Sequence, residues 1–584
     1  MFTQLLIANR GEIAVRLVRA AREMGIATVA VHARDDAQAL HVQLADRTVA
    51  LDAAGPPAYL DAAALIAAAR RTGCDALHPG YGFLSERADV AQACADAGLV
   101  FIGPTPQQLA LFGDKAQARA FAQRHEVPVM PGTPAAGLAE VQAFMAAQRR
   151  SDPGCGVMLK AVGGGGGRGM RAVLDPAELP AAFERCSSEA RAAFGVGELY
   201  AERLFTRARH IEVQVAGDGL QVMSLGEREC SLQRRFQKLI EIAPSPSLPP
   251  ALREQITQAA LEMARAIGYR SLGTFEFLVD EQDEALPFVF IEANPRLQVE
   301  HTVTEEVTGV DLVQLQIALA AGASLASLGL DPAAPPAPRG FALQWRLNAE
   351  TLDAAGEARP SSGRIARLQW PSGPGVRIDT HAVAGASPSP HFDPLLAKLV
   401  VSHRSSVFAD VLRRSRQALA ELRIDGLATN LPLLQVLADH PDVAAQAVHT
   451  RWLQARWPEL HALAAARATV QGGAPVEASA SDGDAEPAPI SLEAGMLALS
   501  APMACRLVAL QVQPGATVAA GQPVAVLEAM KMEHLLHAPR AARVQAVNAA
   551  LGDFLAEGQA LLVLQPLADA GEALCTISLA SSVS

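Results

Sequence analysis

At 584 residues, with 49 Lys and Arg against 61 Asp and Glu, the chain carries a formal charge of −12 and has length for about four folding units. That acidic balance argues against nucleic acid as a partner, while local basic clusters stay available for phosphates. No apolar run of roughly 18 residues, no basic-then-apolar leader and no paired metal spacing among the seven cysteines occurs. A membrane span, a signal peptide and a disulfide framework are therefore not expected, and a reduced, cytoplasmic chain is.

The first hundred residues alternate. Gln4–Ala8 and Ile26–His32 read as buried strands around helix Glu12–Met24. Helix Asp61–Thr72, segment Ala76–Leu77, helix Asp89–Ala97 and strand Leu99–Ile102 continue the α/β pattern. The turn Asn9-Arg10-Gly11-Glu12-Ile13-Ala14 lacks G-x-G-x-x-G spacing, which argues against a dinucleotide. The loop His78–Glu86, which contains Tyr81, falls at a strand's carboxyl end, where open α/β sheets place ligands.

Lys160-Ala161-Val162 leads into five glycines, Gly163, Gly164, Gly165, Gly166 and Gly167, followed by Arg168. Such a tract offers backbone N–H donors with no Cβ in the way. Alone it would read as a flexible linker. Between strands expected at Val157–Ala161 and Met170–Leu174 it reads as a hairpin lid over phosphates, and no Gly-Lys-Ser/Thr makes it a Walker loop.

Glu202 and His210 follow, then Gln233 and the basic cluster Arg234, Arg235 and Lys238, which in isolation reads as a solvated turn. Strand Thr274–Val279 carries Glu276. A return strand, Phe288–Ile291, runs into Glu292-Ala293-Asn294-Pro295-Arg296-Leu297-Gln298-Val299-Glu300-His301. Carboxylates Glu276 and Glu292 with the amide of Asn294 on adjacent strands suit one or two Mg²⁺ ions, which take hard oxygen ligands and substrate phosphates.

A short helix is expected at Glu459–Ala468. Gly472–Pro489, built of Ala, Pro, Gly, Ser and acid, reads as a disordered linker. Beyond it a repeat emerges. Ala501-Pro502 recurs as Ala538-Pro539, Gly515 as Gly552, Gly521-Gln522 as Gly558-Gln559 and Val526-Leu527 as Val563-Leu564, each pair 37 positions apart. Two similar halves of one small β-sandwich follow, with Glu528-Ala529-Met530-Lys531-Met532-Glu533-His534 at the hairpin tip between them. Two methionines on an exposed tip gain nothing from burial, which marks Lys531 as a site read by another protein.

This last stretch resembles the biotinyl carrier domain of biotin-dependent carboxylases, whose Ala-Met-Lys-Met lysine is acylated by biotin; a lipoyl carrier shares the fold but usually not the flanking residues. Residues 1–447 resemble the biotin carboxylase component of the ATP-grasp superfamily, through Asn294–His301, Arg346 in Trp345-Arg346-Leu347-Asn348-Ala349-Glu350, and Arg423-Ile424-Asp425-Gly426 with Thr429-Asn430. The resemblance implies a Rossmann-like N-terminal subdomain at 1–113, an ATP-grasp domain at 114–320 with its glycine lid at about 131–204, and a C-terminal subdomain at 335–447. A helix and linker at 448–494, an all-β carrier at 495–566 and a tail at 567–584 complete it.

By the same resemblance Lys115, Lys160, Gly164–Gly167, Glu202, His210 and Gln233 hold ATP, and Glu276, Glu292 and Asn294 hold Mg²⁺ (or Mn²⁺). Lys238, Arg296, Gln298 and Val299 bind bicarbonate. Glu300 is the general base that deprotonates it for attack on the γ-phosphate, giving carboxyphosphate. Tyr81 and Arg346 meet biotin, Arg346 stabilising its enolate. The carboxyl group then leaves on Lys531 for a separate carboxyltransferase (beta) subunit. Glu533-His534 resembles acyl-CoA carboxylase α chains (acetyl-, propionyl-, methylcrotonyl- or geranyl-CoA). A keto-acid acceptor is the second reading, and a biotinylated scaffold without activity the third. A biotin protein ligase and a second copy of the chain are the other expected partners. Phe236 stands where many relatives have His and Phe392 where Tyr is usual. Pro502-Met503-Ala504-Cys505 and Arg540-Ala541-Ala542 depart from the usual carrier turns, and residues 450–495 are too short for the β-barrel that docks the transferase in larger α chains.

Overall fold

The computed structural model describes residues 1–135, 137–151, 154–162, 170–194, 197–280, 283, 286–470, 496–503, 505–529, 532–555 and 558–567. The chain divides into two compact units, Met1–Glu477 and Ala478–Ser584. The expected linker Gly472–Pro489 and tail Ala568–Ser584 lie outside the described residues. Among the described residues no disulfide joins the cysteines, and no helix is long and apolar enough to cross a membrane.

The α/β alternation at the start produces a five-stranded parallel sheet in the order Arg47–Ala50, Ala27–His32, Gln4–Ile7, Ala76–His78, Val100–Phe101. Helix Gly11–Glu23 buries Ile13, Ala14, Leu17, Val18 and Ala21, the i, i+3, i+4 spacing of a face laid on a core. Asp61 caps helix Ala62–Thr72 by accepting from the Ala64 amide at 2.9 Å, and Gly73, left-handed at φ +77°, ends it. Asn9 has a local task. Its Nδ2 donates to the carbonyls of Pro79 (2.6 Å) and Tyr81 (2.8 Å), bracing the loop that presents Tyr81. Gly80 permits this closeness: at φ +64°, a Cβ there would stand 2.9 Å from that same nitrogen.

The glycine tract is flanked as expected, by Gly156–Ala161 paired antiparallel with Met170–Val173 in a four-stranded sheet; Gly163 through Gly169 lie outside the described residues. The rest of the first unit is organised by one antiparallel sheet of eight strands. Its order is Phe288–Asn294, Arg270–Val279, Arg209–Asp218, Val222–Arg234, Gln237–Ala243, Phe341–Asn348, Leu395–His403, Val376–Thr380. This sheet runs straight through the boundary expected between 320 and 335. Strand Phe341–Asn348 pairs with Gln237–Ala243 on one side and Leu395–His403 on the other, so that Trp345 stands between Ile240 and Leu399. Trp345 is fully buried among leucines and valines of both parts. The expected helix near 459 begins at Trp457, whose indole N–H donates to the Asp353 carbonyl at 3.2 Å.

In the second unit the two halves interleave. One sheet runs Leu497–Ser500, Ala560–Pro566, Ala542–Val547, Thr517–Val518; the other Met532–His537, Pro523–Ala529, Cys505–Leu510, Phe554–Leu555. Each sheet takes strands from both halves, and the 37-residue shift carries one sheet onto the other. The repeat explains the joints: Ala501 bonds to Gln559 as Ala538 does to Gln522, both at 2.9 Å. Strands Pro523–Ala529 and Met532–His537 pair out to Ala529–Met532. Met530 and Lys531 lie outside the described residues, as does Ala504. Leu507 is fully buried in this sandwich. Leu507→Ala should destabilise it by about 2–5 kcal/mol. Calorimetry should show the carrier transition lowered and the larger one unmoved; a joint shift of both would contradict two separate units.

Candidate active site

Register across the eight-stranded sheet sets one row of charge. Arg228 stands opposite Glu212, Glu212 opposite Glu276, and Glu276 opposite Glu292. Like charges directly opposite on neighbouring strands repel, and the side chains of Glu212 and Glu276 are almost wholly buried. The row therefore requires cations. Arg228, itself inaccessible to solvent, pairs with Glu212 and spends its remaining donors on Gln214 (2.8 Å), Thr304 (2.9 Å) and Thr274 (3.1 Å). Lys238 brings its Nζ to 2.5 Å from Glu212, 2.6 Å from Glu300 and 3.3 Å from Glu276.

The basic cluster around Lys238 is thus not a solvated turn. Arg234 is buried and pairs with Glu350 at 3.1 Å, and Arg235 pairs with Glu357. Only the tip, Arg235-Phe236, is open, a two-residue turn with both φ positive (48° and 66°).

The structure gathers most of the residues singled out in the sequence. His210 Nε2 lies 2.6 Å from Glu276, and its Nδ1 lies 2.6 Å from the Gln233 amide. A Gln N–H donating to Nδ1 leaves the ring proton on Nε2, where it donates to the carboxylate. Arg296 donates to Glu86 at 2.5 Å, to Gln298 at 2.8 Å and to Asn294 at 3.1 Å. Gln298 in turn donates to Glu276 at 3.1 Å. Glu300 occupies the turn before helix His301–Thr308, held by Lys238 on one oxygen and by Arg346 (3.1 Å) on the other. The Val299 carbonyl accepts from the fully buried Lys398 at 3.2 Å. Lys398 also lies 2.9 Å from Glu12, whose carboxylate accepts from the Tyr81 hydroxyl.

Lys160 and Glu202 pair with each other on the lid sheet, with Arg119 3.5 Å from Glu202. Lys115 stands apart from them, 3.8 Å from Glu292. Gly164–Gly167 and Lys531 lie outside the described residues.

Electrostatics follow from this packing. Burial opposes the charge on Glu276, but Lys238 and His210 outweigh it and take its carboxyl down to about 2. Burial likewise opposes the charge on Glu300, and Lys238, Arg346 and Arg228 together hold it well below the usual carboxylate range. For Lys238 burial disfavours the ammonium, yet the surrounding carboxylates raise it well above an ordinary lysine.

Glu276 and Glu292 could hold a divalent cation from the open side, since Glu292 is 39 % exposed whereas Glu212 is closed off by Arg228 and Lys238. These are hard oxygen donors that fit Mg²⁺. Asn294 stands next to both, its Nδ2 2.7 Å from Glu276 and 3.5 Å from Glu292, and turns its amide oxygen to Arg296.

Sequence reasoning missed Glu212, Arg228, Glu241, Glu86, Glu12 and Lys398. Only Glu212 carried a signal, two positions after His210 and so on the same face of the strand. Arg228→Met should destabilise the first unit by about 3–5 kcal/mol, because it strands the Glu212 charge. Adding Glu212→Leu should recover part of that loss in thermal melts; equal melting of single and double variants would contradict the pairing.

Family models match along most of the chain. "Biotin carboxylase, N-terminal domain" covers residues 1–109 and "Carbamoyl-phosphate synthase L chain, ATP binding domain" residues 114–328. "Biotin carboxylase C-terminal domain" covers 344–455 and "Biotin-requiring enzyme" 498–564. The biotin carboxylase of Nostoc sp. is 46% identical over 455 residues, 78% of this chain and 99% of that protein. The biotin-dependent acyl-coenzyme A carboxylase alpha3 subunit of Mycobacterium leprae is 42% identical, over 78% of this chain and 74% of its own length. Pyruvate carboxylase of Aspergillus niger is 44% identical over 79% of this chain, which spans only 38% of that enzyme. Among solved structures, the biotin carboxylase domain of a single-chain bacterial carboxylase is 50% identical with a TM-score of 0.71, covering 80% of this chain and 99% of that one. The biotin carboxylase domain dimer of Hydrogenobacter thermophilus 2-oxoglutarate carboxylase, in complex with MgADP, ADP and bicarbonate, is 38% identical with a TM-score of 0.72, covering 79% and 98%. The buried Lys238–Glu300–Arg346 cluster therefore sits in a chain that belongs to the biotin carboxylase family, ligases of biotin-dependent carboxylation, joined here to a biotin-requiring carrier domain.

Proposed function

We propose that the chain uses ATP and bicarbonate to carboxylate biotin borne on its own Lys531, as the alpha subunit of an acyl-CoA carboxylase whose carboxyltransferase is a separate chain. The observation that carries this reading is Glu300 held between Lys238 and Arg346, beside the carboxylate pair Glu276 and Glu292.

Lys115, Lys160 and the Gly164–Gly167 loop would hold the phosphates of ATP, with Glu202, His210 and Gln233 as further contacts. Glu276 and Glu292 would hold Mg²⁺ (or Mn²⁺), with Asn294 beside them. The metal would neutralise the triphosphate, and biotin would supply the ureido nitrogen that accepts the carboxyl group. Phosphoryl transfer asks the protein chiefly for position and charge. Lys238 and Arg296 supply it for bicarbonate, Arg296 with a planar fork that suits two oxygens, and Gln298 and Val299 line the same turn.

Glu300 starts ionised, as a base must. Bicarbonate draws Lys238 towards itself, and as that cation is shared the proton affinity of Glu300 rises. Glu300 then takes the bicarbonate proton while the freed oxygen attacks the γ-phosphorus and ADP leaves, giving carboxyphosphate. Arg346 faces the charge that develops at the cofactor, where a preorganised donor in a water-poor site is most effective. Tyr81 closes the same side.

The acyl-CoA acceptor is favoured by Glu533-His534 after the carrier motif and by the likeness to an acyl-CoA carboxylase alpha subunit. A keto-acid acceptor is the second reading, favoured by the likeness to pyruvate and 2-oxoglutarate carboxylases. Identifying the transferase that copurifies, then assaying the pair against a panel of acyl-CoAs and keto acids, decides between them. A biotin protein ligase acting on Lys531 and self-association through the carboxylase unit belong to the same proposal.

Lys531→Arg should abolish carboxylation of the final acceptor while carboxylation of free biotin persists; loss of both would show that the two units do not act separately. Glu300→Gln should remove bicarbonate-dependent ATP cleavage, by about 10²-fold or more if Glu300 is the base, with an unchanged melting profile. Retained cleavage would overturn that assignment.

A further inference from the structure

One buried acid beside Arg346 has no part in the mechanism above. Glu241, on strand Gln237–Ala243, is fully buried. Its Oε1 accepts from Nε of Arg346 at 2.5 Å and its Oε2 from the Gln344 amide at 2.9 Å. The same guanidinium donates to Glu300 at 3.1 Å, so two carboxylates share one arginine. They are unequally supplied. Glu300 also has Lys238 at 2.6 Å, with Arg228 nearby. Among the described residues Glu241 accepts hydrogen bonds, beyond its share of Arg346, only from the neutral amide of Gln344, which is itself fixed by the Thr302 hydroxyl at 2.6 Å. The other ionisable groups facing Glu241 are Lys238 on its own strand, Glu300 before helix His301–Thr308, and the Cys230 thiol on strand Val222–Arg234. Burial, with Glu300 adding to it, pushes the Glu241 carboxyl up to about 7 against the pull of Arg346.

The asymmetry has a direct consequence. When Arg346 turns to a ligand, Glu300 keeps a cation in direct contact at 2.6 Å, whereas Glu241 keeps only the more distant Lys238, with which it forms no ion pair. A buried carboxylate without a counter-ion in contact is more costly than the neutral acid. We infer that Glu241 is a positioning residue that holds Arg346 in the resting site and takes up one proton from solvent when the guanidinium engages the cofactor, giving it back on release. This rests on the reading that Arg346 meets the cofactor.

The sign follows. Below about pH 7 Glu241 already carries its proton, and engagement of Arg346 draws none. Above that pH each engagement must draw one, so kcat/KM for free biotin falls by up to about tenfold per pH unit. The test is the pH profile of kcat/KM for free biotin, with the full chain at saturating MgATP and bicarbonate. Glu241→Gln, which mimics the neutral acid, should lack this fall, so its ratio to wild type climbs steadily above about pH 7. A flat ratio overturns the inference. Gln344→Leu, which removes the other donor to Glu241, should move the descent to higher pH, and an unmoved midpoint also overturns it. Arg346→Met separates the two readings: unchanged biotin kinetics there would refute the role of Arg346 itself. A large loss there with a flat Glu241→Gln ratio would refute only the proton uptake.

Discussion

Everything at this site depends on one ammonium group placed where no ammonium would sit unaided. Lys238 lies within 3.3 Å of three glutamates on three different elements, and among the described residues it is the one cation paired with Glu212, Glu276 and Glu300 together. Burying a carboxylate is expensive, and burying three side by side more so. The sheet accepts them because pairing fixes Arg228 at one end of the row and Lys238 above its middle. The strain of like charges is thereby converted into a strong field at one spot. An anion entering such a site would bind by exchange, since the cations are already committed to carboxylates of the protein.

The continuous eight-stranded sheet makes this possible. Glu276 and Glu292 come from the hairpin at one edge, Lys238 and Glu241 from its centre, and Arg346 from the strand beyond. Were the parts before and after residue 320 independent domains, the Arg346–Glu300 contact would be an interface held by surface forces alone. Backbone pairing from Ile240–Trp345 to Ala243–Ala342, with Trp345 packed in the core shared by both parts, fixes it instead at the precision of a β-ladder. The role proposed for Arg346, meeting a developing charge, would need that rigidity.

Some of this was legible in the sequence. The strands flanking the glycine tract and the N-terminal α/β elements expected from sequence were found to within a residue or two, and the strands of Glu276 and Glu292 to within four, because period-2 and period-3.6 patterns are local properties. The 37-residue repeat announced the sandwich, yet not that its halves interleave, since similarity says nothing about which strand pairs with which. Lys238, Glu300 and Arg346 are 62 and 46 positions apart along the chain, and only likeness to a family joined them. Arg228 and Glu241 were invisible for a physical reason: a charged residue inside an apolar strand looks like an edge position until the opposite strand is known. That one sheet joins the parts on either side of 320–335 was hidden for the same reason, because no shift in composition marks a hydrogen bond between strands.

The ionic frame also orders the ligands. Lys238 is closest to Glu212 and Glu300 and most distant from Glu276, at 3.3 Å, where it competes with His210, Asn294 and Gln298 for the same carboxylate. A divalent cation settling at Glu276 and Glu292 with its nucleotide would take over that weakest share and leave Lys238 to the deeper pair. A bicarbonate bound as proposed would then contend with two carboxylates for Lys238 instead of three. On the proposed reading, charge brought in by the first ligand would make room for the second, with the donors already turned towards Glu276 taking up the change.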